Sequence, residues 1–331
     1  MVELSISNLT PSKPEQERVQ VLIIGSGPAG LSAALYAARA DLNPVVLTGM
    51  ELGGQVSLTY IVENYPGFPD GVGGAEMVEL FQKQAERFGA RIEFDTATEV
   101  DFSQRPFKVK TYNGEYLAES VIITTGATPK HLDIPGEVEL TGRGVSYCAT
   151  CDGWFFKDKD VVVIGGGDSA LEEGLFLTRY AKSVTIVHRR DELRAGAILQ
   201  KRASGNPKIK FIWNTIITDI LGEEAVTGIR MKNVTSGEVI EHPIDGVFIF
   251  IGHNPNTELF NGQLDMDKLG YLIVDQLMRT RVPGVYAAGE VADPTFRQVV
   301  TSAGMGAAAA MQAIHFIEAN TESQTEIIAG S

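Results

Sequence analysis

Two cysteines occur in this chain of 331 residues, as Cys148-Ala149-Thr150-Cys151 with Asp152 next. A CxxC pair brings two sulfurs close enough to cycle between dithiol and disulfide, and such pairs tend to hold one thiol at a lowered pKa. Asp152 places a carboxyl beside them that acts as a general acid or base if burial raises its pKa. No histidine is near in sequence to compete for that task. A lone CxxC in a reducing compartment reads as catalytic rather than structural. Zinc fails on ligand count, because a structural site takes four ligands and the five histidines (131, 188, 242, 253, 315) are scattered singly, so no metal is expected. Trp154-Phe155-Phe156 read as core packing, and the alternative sets Trp154 near a protein substrate or a flavin.

The pair lies between two glycine-rich loops. Gly25-Ser26-Gly27-Pro28-Ala29-Gly30 follows the apolar run 18–24 and opens an alanine-rich helix. In that context GxGxxG lets backbone amides approach a pyrophosphate at a helix N-terminus. The ribose-binding acid of an NAD site is missing from the end of the next strand: Thr48 and Gly49 stand there, and Glu51 is the nearest carboxylate. Gly53-Gly54-Gln55 adds another close-approach loop and Asn64 an amide. A dinucleotide that runs across several loops, FAD, fits better than NAD. Thr125-Gly126-Ala127 and Gly289-Glu290 end two further strands. Arg297-Gln298-Val299 precede the last helix, whose N-terminal amides suit a flavin's pyrimidine edge and the negative charge that develops there on reduction.

The second loop, Gly165-Gly166-Gly167-Asp168-Ser169-Ala170, is most informative at the far end of its unit. His188-Arg189-Arg190 and then Arg194 stand where an NAD site carries its acid, about 20 residues on. Arginines there clamp a 2′-phosphate with charge-assisted bonds and select NADPH over NADH. The plain alternative is a solvated basic helix start. Asp168 and Ser169 either touch the pyrophosphate or nicotinamide ribose or cap their helix. Glu172 and Glu173 read as first-turn helix charges. Electrons therefore enter from a dinucleotide and leave through sulfur.

The elements that must position these groups follow one grammar, strand, glycine loop, helix, strand, written twice. The length allows two domains. Strands are expected at 18–24, 44–47, 160–164 and 183–187, and helices at 31–39, from after Ala170 to about Tyr180, and at 301–319. Segments 107–117 and 226–240 alternate about turns at Asn113-Gly114 and Ser236-Gly237 and read as hairpins layered on each domain. The fold class is α/β, with two Rossmann-like dinucleotide-binding domains of three-layer ββα type, the second inserted into the first. The division runs 1–17 as an N-terminal arm, 18–129 with 255–331 as the FAD-binding domain, and 130–254 as the NADPH-binding domain that carries the CxxC. Net charge is −14, from 28 basic against 42 acidic residues, which argues against nucleic acid or an anionic membrane as partner. No run of roughly 18 apolar residues suggests a membrane span, and the polar start MVELSISNLTPSKPEQER is not a signal peptide. A cytoplasmic protein is expected.

GSGPAG, TGMxxGGQ, CATCDG, GGGDSA, HRRDxxR, GHNPNT and RQVVTSAG, in that order from about residue 18 to 320, resemble the low-molecular-weight, bacterial-type thioredoxin reductases. The resemblance implies a flavoenzyme homodimer that passes hydride from NADPH to FAD, then to the Cys148–Cys151 disulfide, then to thioredoxin. It implies that Cys151 faces the flavin, that Cys148 attacks thioredoxin and that Asp152 donates the proton. It also implies a swivelling NADPH domain with hinges near 127–131 and 252–256. Ferredoxin-linked or small-molecule dithiol oxidoreductases of the same fold, and a flavin redox sensor, are the alternatives; the arginine clamp speaks against the first two. Where the family usually has Gly-Asp before the final helix, with the acid on the flavin's ribityl chain, this chain has Gly289-Glu290, one methylene longer.

Overall fold

The computed structural model describes residues 16–329 apart from Tyr60, with side chains up to residue 321. The expected arm at 1–17 lies outside the described residues except for Gln16 and Glu17, which already belong to the first strand. In chain order the elements are β1 (Gln16–Ile24), α1 (Pro28–Arg39), β2 (Val45–Leu47), α2 (Gly74–Arg87), β3 (Arg91–Glu93), β4 (Ala97–Asp101), β5 (Phe107–Thr111), β6 (Glu115–Ile123) and β7 (Ala127–Pro129). Then come β8 (Val145–Ser146), α3 (Ala149–Asp152), β9 (Asp160–Ile164), α4 (Asp168–Leu177), β10 (Ser183–Val187), α5 (Ala197–Ser204), β11 (Ile209–Ile212), β12 (Thr215–Gly222), β13 (Val226–Asn233), β14 (Val239–Pro243) and β15 (Gly246–Ile249). β16 (His253–Pro255), β17 (Val285–Ala287) and α6 (Val299–Ala329) complete the chain. Two compact units result: 1–58 with 73–127 and 255–331, and 59–72 with 128–254.

In the first unit β3, β2, β1, β6 and β17 run parallel, and β4 and β5 continue antiparallel from the N-terminal half of β6. β6 serves both layers because it is long: Glu115–Ala118 pair with β5, and Val121–Ile123 pair with β17. Strand alternation then makes the core double-sided. Val21, Ile23 and Ile122 face the α1 and α6 alanines, whereas Leu22, Ile24, Val121 and Ile123 face Phe107, Val109 and Phe260. α1 and α6 meet through small residues. A β-carbon on Gly306 would sit under 3.0 Å from the backbone of Ala29, so only glycine permits this approach. Here one expectation is corrected. Val299–Thr321, at a mean hydropathy of 1.2, is long and apolar enough to cross a membrane by composition. Its alanine face has another use, since Ala309, Ala310, Ala313 and Ile317 are buried in one cluster with Ala33, Ala34 and Ala37.

The second unit repeats the plan. β11, β10, β9, β15 and β8 form a parallel sheet, and β12, β13 and β14 an antiparallel one. Val161 and Val163 of β9 face Leu171 and Leu177 of α4, while Val162 and Ile164 face Ile217, Ile229 and Met231 of the antiparallel sheet. The α/β architecture expected from the sequence is present, and the strands at 160–164 and 183–187 fall where expected. Helices α1 and α4 start within their glycine motifs, at Pro28 and Asp168, earlier than expected, and α6 begins before 301 and runs beyond 319. β16 and β7 form a two-stranded sheet where the chain passes from one unit to the other.

Candidate functional site

The first glycine loop is held from below by Thr124 at the end of β6, whose Oγ1 donates to Ile24 O (3.1 Å) or Gly25 O (2.8 Å). Gly25 has φ +114, and a β-carbon there or on Gly30 would lie under 3.0 Å from Thr124 O or Gly25 O respectively. Those two glycines serve the closure of strand on helix. Gly27 serves differently. It is the N-cap of α1, in extended conformation, with Pro28 at the first helical position and no side chain capping the helix. First-turn amides are thereby left for an anion. A β-carbon on Gly54 would find Gly27 Cα as its nearest neighbour at 3.8 Å, and Gly49 and Gly126, both at positive φ, have nothing within 4 Å. Backbone thus lines a cradle that side chains would fill, which suits a long dinucleotide.

Ser26 has a structural task. It is 2% exposed, accepts the Gly53 N–H at 3.1 Å, and lies 3.4 and 3.3 Å from the carbonyls of Thr48 and Glu51, so it ties the 48–53 loop to the glycine loop. Thr48 Oγ1 donates to Gly49 O at 2.8 Å. Gln55 sits on the short 3-10 helix Gly54–Leu58, directly after Gly53 and Gly54. Thr125 and Asn256 exchange hydrogen bonds, Oγ1 to Asn256 O at 2.7 Å and Nδ2 to Thr125 O at 2.8 Å, which fixes the Thr125-Gly126-Ala127 turn. Gly289, at φ +78, lies against Ala29, and a β-carbon there would meet the Ala29 side chain at 2.9 Å. That contact brings Gly289-Glu290 to the first loop. Burial pushes the Glu290 carboxyl up to about 7, helped by Asp293 and opposed by Arg297. Asp293 accepts the amides of Thr295, Phe296 and Arg297 and so shapes the turn into α6, with Arg297 at φ +51. Gln298 O accepts the first α6 bond, from Ser302 N, and Val299 is the first helical residue. Asn64 lies on the 59–72 segment, which belongs to the second unit and not to the unit that carries the other FAD-side candidates.

In the second unit α4 also starts bare, with Gly167 as N-cap and no side-chain cap. Gly167 has nothing within 4 Å of a built β-carbon. Asp168 does not cap its own helix: its Oδ1 accepts the Gly196 N–H at 2.7 Å. Gly166 O accepts the amides of Arg194 (2.7 Å) and Ala195 (3.2 Å). These bonds fasten the 189–196 loop to the glycine loop and set Arg194 beside it. Arg189, Arg190 and Arg194 are exposed, and among the described ion pairs none involves them. His188 differs from its neighbours. It is 5% exposed, a β-carbon on Gly166 would run into its ring, and its Nε2 lacks a hydrogen-bond partner. Burial pushes its pKa down, and Arg194 and Arg189 act in the same sense. It packs under the loop as a neutral ring. Ser169 is half-buried in the first turn of α4.

Cys148 and Cys151 form a disulfide across α3. Cys148 is the N-cap of that turn, and its Sγ accepts the Cys151 N–H at 3.2 Å. Once reduced, a sulfur so placed is favoured as thiolate. Asp152 closes the turn, and burial raises its pKa against an opposing hydrogen bond from Ser146 at 2.6 Å. Ser146 was not singled out by sequence reasoning, and neither was Asn256; a serine two positions before a CxxC carries no signal of its own. The core-packing reading of Trp154-Phe155-Phe156 holds for Phe156 alone. Trp154 is 55% and Phe155 40% exposed, and Trp154 packs edge-on to Tyr180 and under the Lys157 ammonium. A 3-10 turn over Gly153–Phe156 directs Phe156 to Phe248 and leaves the two residues before it outside.

Residues 19–306 match the family model described as pyridine nucleotide-disulphide oxidoreductase. That class joins a pyridine nucleotide and a flavin to a redox-active cysteine pair, and two glycine loops that open uncapped helices and the cysteine pair are present in the structure. The thioredoxin reductase of Streptomyces coelicolor is 51% identical over 90% of this chain and 94% of its own length. That of Rickettsia felis is 52% identical over 90% of this chain and 98% of its own. Among solved structures, thioredoxin reductase from Streptococcus pyogenes superposes with a TM-score of 0.88 at 42% identity, over 92% of this chain and all (100%) of the other. The chain belongs to the thioredoxin reductases of this class.

Proposed function

We propose that the chain reduces thioredoxin with NADPH, by way of FAD and the Cys148–Cys151 disulfide: NADPH, a proton and thioredoxin disulfide give NADP⁺ and thioredoxin dithiol. The observation that carries this reading is the disulfide on α3 with a half-buried acid at its end. FAD, when bound, would supply two-electron transfer between a hydride donor and the disulfide. Its cradle is assigned to Gly25–Gly30, Thr48, Gly49, Glu51, Gly54, Gln55, Thr125–Ala127, Gly289, Glu290 and the start of α6 at Arg297–Val299; Asn64, on the 59–72 segment, is left out of it. NADPH is assigned to Gly165, Gly167, Asp168, Ser169 and the His188–Arg194 loop. Arg189, Arg190 and Arg194 hold the 2′-phosphate, and His188 supports them from beneath.

The reduced Cys148 thiolate attacks one sulfur of thioredoxin's disulfide and forms a mixed disulfide. Cys151 thiolate then attacks Cys148 Sγ, which re-forms the internal disulfide and releases the thioredoxin dithiol. Asp152 supplies a proton to a departing thiolate and is afterwards recharged from solvent. Two of the chain's four passages between units, at 127–128 and 254–255, fall in the segments assigned as hinges, and the other two, at 58–59 and 72–73, do not. A cytoplasmic homodimer is the assembly in which we expect this to occur.

The test is direct. Purified protein is expected to be yellow, to bleach with NADPH, and to reduce thioredoxin in repeated turnovers. Cys148→Ser should keep the NADPH bleaching and lose thioredoxin reduction. A colourless protein, or a Cys148→Ser variant that still turns over thioredoxin, refutes the relay.

A further inference from the structure

Ser146 ends β8 inside the redox segment and is 4% exposed. Its Oγ lies 2.6 Å from Asp152 Oδ2, 3.0 Å from the Cys148 amide nitrogen and 3.2 Å from the Cys148 carbonyl oxygen. A hydroxyl has one hydrogen and two lone pairs. The Cys148 N–H occupies one lone pair, and what remains depends on Asp152. An ionised Asp152 can only accept, so the hydroxyl hydrogen points to Oδ2. A protonated Asp152 can donate its Oδ2 hydrogen to the second lone pair, and the hydroxyl hydrogen then turns to Cys148 O. Both arrangements use the three observed distances without moving a heavy atom.

We propose that Ser146 is a positioning residue that ties the protonation state of Asp152 to the backbone of Cys148. The inference rests on the reading of Asp152 as the proton donor of the dithiol cycle and adds to it how that proton is held and released. Burial favours the neutral acid at Asp152, and the Ser146 hydroxyl is the group that favours the carboxylate. α4 packs on α3 and carries Asp168, Glu172 and Glu173, and the redox segment is flanked by Arg143 and Lys157. None of these charges enters the shift at Asp152, where burial acts one way and Ser146 the other. The hydroxyl is thus the local control on when the acid lets go. Each release also withdraws a hydrogen bond from the carbonyl of the attacking cysteine.

The holoenzyme is reduced with dithiothreitol, freed of reductant under argon and alkylated with iodoacetamide at pH values from about 5 to 9, a range that spans carboxyl and thiol titration. Cys148 modification is followed by mass spectrometry. The wild-type rate is expected to show, besides the thiol titration, an inflection from Asp152 that Asp152→Asn removes. Ser146→Ala should move that inflection up by about one pH unit, the effect of losing one hydrogen bond to the charged form. Ser146→Thr, which keeps the hydroxyl, should leave it at the wild-type position. An inflection unmoved in Ser146→Ala, one displaced equally in Ser146→Thr, or a wild-type profile with nothing for Asp152→Asn to remove overturns the proposal. If Ser146→Ala yields no folded, flavin-bound protein, Ser146→Thr decides: the wild-type inflection supports the role and a displaced one ends it. Neither thioredoxin nor NADPH enters this assay. Failed thioredoxin turnover with the alkylation pattern intact therefore sinks the functional reading and leaves the Ser146 coupling standing.

Discussion

Glu290→Gln should stabilise the protein, and the gain should depend on pH in a direction fixed by burial. The Glu290 carboxyl ordinarily titrates at 4.5 and is pushed to about 7 in the fold, chiefly by burial, with Asp293 adding to the shift and Arg297 opposing it. A group that holds its proton more tightly when folded favours the folded state while both forms are protonated, below about pH 4.5. As pH rises from there to about 7, the unfolded chain releases the proton and the folded chain keeps it, so stability falls; above that the loss levels off. The gap from 4.5 to about 7, at roughly 1.4 kcal/mol per pH unit, is worth about 3 kcal/mol. Glutamine fills nearly the same volume and carries no charge, so it escapes the loss. Urea unfolding of both proteins, followed by far-ultraviolet circular dichroism from about pH 5 to 8.5, reads the difference. The variant's advantage should be small at the acid end and approach roughly 3 kcal/mol at the alkaline end. Two curves separated by a constant offset would show that Glu290 does not titrate as its surroundings dictate, and the reasoning would fall.

Replacing Arg189 or Arg190 with glutamine should raise KM for NADPH by roughly 10- to 100-fold, the worth of one charge-assisted bond, and leave KM for NADH unchanged; steady-state kinetics with the two nucleotides separates this from general damage. Gly306→Ala should lower the midpoint of thermal unfolding and weaken flavin retention, because its β-carbon would run into the Ala29 backbone and force α1 from α6, an overpacking of about 1–3 kcal/mol or more. Gly304→Ala, exposed on the same helix with nothing within 4 Å, is the control and should be neutral or stabilising by up to about 1 kcal/mol; calorimetry of the pair checks both.

What could be read in the chain beforehand was whatever is local. Strands such as 160–164 and 183–187 are runs of β-branched residues that bury both faces, and glycine loops announce the turn that follows them. The helix starts lie a few residues earlier than the sequence set them, with Gly27 and Gly167 as N-caps inside the motifs. Contacts between distant segments carried no such signal. Nothing in Ser26 says that it ties the loop at 48–53 rather than meeting a ligand, and nothing in Asp168 says that its carboxylate reaches Gly196 rather than its own helix. The exposure of Trp154 and Phe155 also escaped, because an aromatic triplet has no period and the 3-10 turn that sorts its members appears only in three dimensions.

The two units show why function resides at the end of the second strand rather than in the glycine motif. Both offer a bare helix start to a pyrophosphate, and both stack a parallel sheet between helices and an antiparallel sheet. After β2, however, Thr48 and Gly49 are drawn in by Ser26 and present backbone, whereas after β10 the chain buries His188 and holds Arg189, Arg190 and Arg194 outward on a loop fastened to Gly166 and Asp168. Neutral backbone in the one and fixed cations in the other cannot prefer the same ligand. An open cradle accepts a long dinucleotide along its length, and a cationic rim rewards an extra phosphate. On the proposed assignment the same strand, loop and helix hold a resident flavin nucleotide in one copy and a transient, 2′-phosphorylated donor in the other, and the disulfide is carried on the second unit.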